Sequence, residues 1–206
     1  MIKVIKSAVL DHQLTLLRDK NSNSQLFRAC IKSISQFMCY EVTKDLLTKN
    51  VTIETPICKT NGKKLAEHIV LVPILRAGLG VVDAFREMIP TARIGHIGIY
   101  RNKNTKKPIQ YYCKMPTTIK GATIILLDPM LATGYSASHA ISIIKKYQPR
   151  QIKFVCIIAT PIGIKYIQTH HKDVQCYTIA IDKKLDNNKY IVPGCGDAGD
   201  RIFGTK

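Results

Sequence analysis

Residues Ile124–Ser138 read IILLDPMLATGYSAS: an aliphatic run, an acid, then a turn of small and hydroxylated residues. Ala122–Leu127, apolar apart from Thr123, is of strand length, as expected of a parallel strand covered on both faces rather than one with a wet side. Asp128 stands where that strand would leave the sheet. Thr133, Gly134 and Ser136 supply hydroxyls and accessible amides just before a helical segment, Ser136–Tyr147, whose N-terminus carries roughly half a positive charge. Taken alone, the turn reads as an ordinary helix cap. With an acid in front of it, a phosphate on the amides would place sugar hydroxyls within reach of the Asp128 carboxylate, and the pair reads as a ribose-phosphate site. A Walker-type loop would need a Gly-Lys-Ser/Thr ending, and none occurs.

Outward from this stretch, extended and helical patterns alternate. Extended segments are expected at His68–Leu75, Arg93–Tyr100, Gln151–Ala159 and Val174–Ile181, and helices at Gly80–Met88 and Ile162–His171. A further helix follows the start signal Asn21–Ser24, with Leu26, Phe27, Cys30, Ile31, Ile34, Phe37 and Met38 at helical spacing. Strands interleaved with helices predict an α/β fold, a mainly parallel central sheet flanked by helices, with ligands outside the carboxyl ends of the strands. Arg76, Arg101 and Asp128 each fall at or just past such an end.

The 206 residues, 46% of them hydrophobic, suffice for one sizeable core, and no Pro/Gly/Ser-rich linker divides them, so a single domain over 1–206 is expected. Apolar runs stop well short of the ~18 residues a membrane span requires. The N-terminal MIKVIKSAVLDHQ has neither a secretory apolar core nor a transit pattern, which points to the cytoplasm, or to a plastid stroma for an organelle-encoded chain. Seven cysteines without a C-x-x-C pair fit a reducing compartment. His170-His171 reads as a solvated helix end, because adjacent helical positions diverge and no acid or Cys has ligand spacing. Cys195 has no neighbouring His to make it a nucleophile. The net charge of +17 invites a nucleic-acid reading, but the lysines are scattered and not interleaved with aromatic residues, so nucleic acid is not the expected partner. A basic field would still speed capture of an anionic small substrate.

Three separated segments, in order, resemble the uracil phosphoribosyltransferase family. Asp128-Pro129-Met130-Leu131-Ala132-Thr133-Gly134-Tyr135-Ser136 is similar to its phosphoribosyl diphosphate loop, Leu71–Gly80 (LVPILRAGLG) to its diphosphate-contacting strand and loop, and Tyr190–Asp200 (YIVPGCGDAGD) to its uracil-binding segment. The resemblance implies a type I phosphoribosyltransferase fold with a hairpin lid and a C-terminal base-binding hood. It implies uracil and phosphoribosyl diphosphate as substrates, Mg²⁺ held mainly through the diphosphate, a homodimer or larger assembly, and in some relatives GTP as effector. By the same resemblance, Arg76, Arg101, Asp128 to Ser136 and Asp197 would bind phosphoribosyl diphosphate. Ile191, Gly196, Asp197 and Ala198 would read uracil, and Asp128, Asp197 and Arg76 would take part in the chemistry.

Arg101 opens a polar excursion, RNKNTKKP, which returns through Ile109–Met115 as a second hairpin arm and reads as the lid. Asn102, Lys103 and Asn104 replace acids common in the family, Tyr135 stands for a residue usually small, and Ile162 for one often acidic. Two other readings stay open. RNA-binding pyrimidine regulators share the fold but carry a doubled acid before the loop, where this chain has Asp128-Pro129. Enzymes for purine bases share the fold but would not be expected to carry YIVPGCGDAGD.

Overall fold

The computed structural model describes residues 2–101 and 108–205, with the Arg101 side chain excepted. The expected lid tip, 102–107, lies outside them. The central sheet runs Ile2–Val4, Gln175–Thr178, Gln151–Val155, Thr123–Leu127, Ile69–Leu75, His96–Arg101 and Pro108–Lys114 from edge to edge. Every neighbouring pair is parallel except the last, which is antiparallel. Arg93–Ile94 adds a short parallel pairing to Ile69–Leu75.

Thr123–Leu127 lies centrally, and all five of its residues are buried. Ile125 and Leu127 face one cluster, formed with the helices Ala8–Arg18, Ser24–Thr43 and Leu79–Met88. Ile124 and Leu126 face another, formed with Tyr135–Lys145 and Pro161–His170. A fully buried Ile or Leu contributes about 1.5–3 kcal/mol, more than the ~1 kcal/mol span of strand propensities, so two-sided burial fixes this strand. In register, Leu127 pairs with Pro73 on one side and Val155 on the other, so two strands end level while Ile69–Leu75 runs two residues further.

Element types at the predicted strands and helices agree with the structure, but three expected strands are divided: Arg93–Tyr100 breaks at Gly95 into Arg93–Ile94 and His96–Arg101, and two others are cut short. Gln151–Ala159 divides into Gln151–Val155 and Ile158–Ala159, and Val174–Ile181 into Gln175–Thr178 and Ala180–Ile181. Past the main sheet these chains turn and form a second parallel sheet with Met130–Leu131. The hydropathy continues through the break because both sheets are buried, so periodicity alone cannot show it. Asn23 caps the long helix, accepting from the Leu26 amide at 2.9 Å. Of its predicted stripe, Leu26 and Phe37 are exposed at 39% and 45%, each one residue, or 100°, away from a buried position.

The helix Ala8–Arg18 and the hairpin Thr48–Glu54/Lys59–Leu65 were not expected from the sequence. The hairpin exposes both faces, so it has no apolar alternation to betray it. Lys153 is wholly buried in a parallel strand, where its ammonium donates to the Val42 carbonyl at 2.7 Å and pairs with Asp45, closing the C-terminal end of the long helix. Among the described residues, no helix is long and apolar enough to cross a membrane.

The expectation for His170-His171 is corrected in one half. His170 is exposed, but His171 is 6% exposed, with Nε2 2.8 Å from Ser138 Oγ and Nδ1 buried with no hydrogen-bond partner among the described residues. Burial lowers its pKa below the ordinary 6.5, reinforced by Lys145 and opposed by Asp173. Protonation would drive a second N–H into a site with no acceptor. Because the unfolded chain takes up this proton more readily, the associated stability is complete above about pH 6.5 and is lost as pH falls through the folded pKa. Thermal unfolding followed from pH 7.5 downward should show this loss, and His171→Gln should flatten the profile in that window.

Candidate active site

At the carboxyl ends of the strands lies a cleft of about 400 Å³. One wall is Asp128, Met130–Gly134, Ser136 and Ala137; the other is Asn188–Ile191 and Gly196–Gly199, with Ala77 between them. The loops that the sequence placed in one site, 62 residues apart from Gly134 to Gly196, thus share one cavity.

The first wall is built by the strand-to-helix turn. Asp128 donates its amide to the Val155 carbonyl at 3.1 Å, and its Oδ1 accepts from Met130 N at 3.4 Å. Gly134 takes φ +85 as the N-cap of Tyr135–Lys145, a conformation glycine adopts without a Cβ penalty. That turn brings the first turn of the helix, at Ser136 and Ala137, onto the cleft wall. Behind it, Thr160 donates its hydroxyl to Ala132 O at 2.6 Å and its amide to Leu131 O at 3.0 Å. A Cβ on Gly163 would stand 2.6 Å from that same Ala132 oxygen, so the next helix can press against the cradle only because residue 163 is glycine.

Two members of the predicted loop do not line the cleft. Pro129 is buried, and its carbonyl accepts from Ile157 and Ile158 at 2.8 and 3.1 Å. Tyr135 turns its ring outward, edge-on to Tyr166 at 4.7 Å between centroids, and Tyr166 stacks on His170 at 4.2 Å. The unusual aromatic residue therefore leaves the cradle open.

Arg76 follows the strand Ile69–Leu75 through a cis peptide bond and is half exposed. It stands beside the cleft, while Ala77 lines it. Its guanidinium donates to Asp200 Oδ1 at 3.0 Å, and Thr205 donates to the same oxygen at 2.5 Å. Asp200 is a site residue that the sequence reading left without a role. Gly78 returns the chain under this corner: a Cβ there would meet Leu127 O at 2.5 Å and both Ile74 N and O at 2.7 Å. Arg101 ends its strand as expected, but its side chain lies outside the described residues.

In the second wall, Ile191–Val192 pairs antiparallel with Lys184–Leu185, and the chain then turns through a cis Val192–Pro193 bond and positive-φ Gly194 and Gly196. Asp197 caps the terminal helix Ala198–Phe203, its Oδ1 accepting from Asp200 N at 2.9 Å. Asn188 and Lys189 also line the cleft, though the sequence reading passed over them. Lys189 has φ +68, closing a turn in which its amide donates to Asp186 O. Asn-Asn-Lys preceding a strand was the available turn signal. Cys195 is buried, and burial pushes its thiol up to about 11, so it is a poor nucleophile.

Chemically, the first wall offers amides and hydroxyls for an anion and one carboxylate, and the second offers main-chain edges for a flat polar ring. No group of three or more His, Cys, Asp or Glu residues arranged to hold a metal occurs among the described residues.

The comparisons agree with this geometry. Uracil phosphoribosyltransferases of Malacoplasma penetrans and Clostridium tetani are 55% and 53% identical, the first over 100% of both chains, the second over 95% of this chain and 94% of the other. The solved AQ2163 protein from Aquifex aeolicus superposes with a TM-score of 0.95 at 34% identity, covering 100% of this chain and 99% of that one. A hypoxanthine-guanine phosphoribosyltransferase from Bacillus anthracis, 13% identical with a TM-score of 0.54 over 76% of this chain and 79% of its own, shares the fold. The family model of uracil phosphoribosyltransferase matches residues 4–205, and the chain belongs to that family.

Proposed function

We propose that this chain transfers the 5-phosphoribosyl group of phosphoribosyl diphosphate to N1 of uracil, releasing diphosphate and forming UMP, as a step of pyrimidine salvage. The observation that carries this reading is the single cleft in which the Asp128–Ser136 turn faces the Ile191–Gly199 hood. A sugar ester anchored on one wall meets a heterocycle held on the other, and holding two reactants in such a geometry is itself a large share of catalysis.

In this reading the amides and hydroxyls from Thr133 to Ser136 bind the 5-phosphate, and Asp128 orients the ribose hydroxyls and faces the positive charge that grows at the anomeric carbon. Arg76, steadied by Asp200, and Arg101 neutralise the departing diphosphate. Main-chain groups of Ile191, Gly196 and Ala198 select the pyrimidine edge. Asp197 lies beside the base and assists loss of the N1 proton. Asp128 and Asp197, the two carboxylates lining the cleft, are the donors available to a Mg²⁺ ion, which keeps most of its ligands as water and substrate oxygen. When bound, that ion would neutralise the diphosphate. A single domain, a homo-oligomer, GTP as a candidate effector and a reducing compartment such as the cytoplasm complete the proposal; seven unpaired cysteines suit the last.

Incubating the purified protein with phosphoribosyl diphosphate, Mg²⁺ and each nucleobase in turn should give UMP from uracil and negligible product from purines. Purine nucleotide formation without UMP would overturn the assignment.

A further inference from the structure

The turn Pro193–Gly196 connects Ile191 to Gly196, both of which line the cleft, yet two of its four residues are glycines at positive φ, the least restrained backbone available. Its placement comes from outside the site. Asp182 Oδ2 accepts from the Gly194 amide at 2.8 Å and from Arg18 Nη1 at 2.7 Å, while Oδ1 accepts from Arg18 Nη2 at 2.7 Å. Arg18 Nη1 also donates to the Gly194 carbonyl at 2.7 Å. Both main-chain polar groups of Gly194 are thus taken by one ion pair, in which the Asp182 side chain is 7% exposed and that of Arg18 23%. The next carbonyl, of Cys195, accepts from Arg201 at 3.0 Å. Arg201 in turn donates to the carbonyls of Leu17, Asp19 and Ser22 and lies over the Phe27 ring at 4.3 Å.

We infer that Arg18 and Asp182 are positioning residues for uracil, fixing the base-reading turn against the N-terminal corner Leu17–Ser22. The inference rests on the proposed recognition of uracil by this hood. Its physical basis is that a largely buried ion pair adds little net stability, since desolvation offsets its attraction and an apolar set would often stabilise as well. What an apolar set cannot reproduce is the two-pronged geometry of guanidinium on carboxylate, with the Gly194 amide and carbonyl held by the same pair. Neither residue lines the cleft, so neither touches the base.

Arg18→Lys keeps the charge but loses the fork, and Asp182→Asn keeps the shape but loses the charge. In the full-length enzyme each should raise the KM for uracil about 10-fold while that for phosphoribosyl diphosphate stays within about two-fold. Hydrogen exchange at the Gly194 and Gly196 amides should quicken in both variants, with the Thr133–Ser136 amides unaffected. If both KM values remain unchanged, or rise together with a fall in melting temperature, the pair is merely structural and the inference fails. Should Asp182→Asn not fold, Arg18→Lys decides alone. If the wild-type protein makes no UMP, the functional reading fails separately, and unaltered exchange at Gly194 would overturn the positioning role on its own.

Discussion

Asp128→Asn should lower kcat by about 100-fold or more, with a smaller change in the KM for phosphoribosyl diphosphate and no measurable change in melting temperature. The substitution conserves shape. Its amide contact to Val155 is main-chain and survives, so the strand end stays in place. What disappears is one negative charge on the cleft wall, where the sugar becomes positive only on the way to the transition state. An interaction that strengthens in that way is lost from turnover more than from substrate binding. Arg76→Ala should produce a fall of the same order, about 100-fold, by exposing the leaving diphosphate to a site with one cation fewer. Steady-state kinetics with both substrates varied make the check, and wild-type values in either variant would remove that residue from the chemistry.

A comparable loss is expected from a single methyl group far less conspicuous in the sequence. Gly78→Ala would place its Cβ within 2.5–2.7 Å of the Leu127 carbonyl and the Ile74 backbone. These are main-chain atoms of adjacent parallel strands and cannot rotate aside. The corner carrying Arg76 and Ala77 must therefore move relative to the strand end carrying Asp128. A displacement of ~1 Å between catalytic groups is enough to reduce turnover about 100-fold, and overpacking of this kind destabilises by about 1–3 kcal/mol. Gly62→Ala, in the exposed hairpin where the nearest atoms are 3.6 Å or more away, is the control and should leave both quantities unchanged. A Gly78→Ala enzyme with normal kcat would show that the corner and the strand end need not be held in register.

Much of this site could be read from the chain because its parts are local. Ile124–Ser138 contains a buried strand, the acid at its end and the small-residue turn in consecutive residues, each constrained by its neighbours. The hood was readable for the same reason, as a run of turn residues with an N-capping Asp197. The misreadings concern contacts across the fold. His171 looked like its neighbour His170 until the Ser138 helix packed over it, and Leu26 and Phe37 matched the helical period yet face outward. The exposed hairpin Thr48–Leu65 has no buried face, and burial is what makes periodicity visible.

By itself, the sequence determined the alternation of strand and helix, the parallel sheet and the two turns that line the cleft, because backbone geometry and the partition of apolar residues act over a few positions at a time. Tertiary structure alone decided how the loops are held: Arg76 to Asp200 across 124 positions, Arg18 to Asp182 across 164, and the outward swing of Tyr135 onto Tyr166. Charges paired at such separations leave no period or motif in the chain, since either partner alone is indistinguishable from a solvated side chain until folding excludes the water between them.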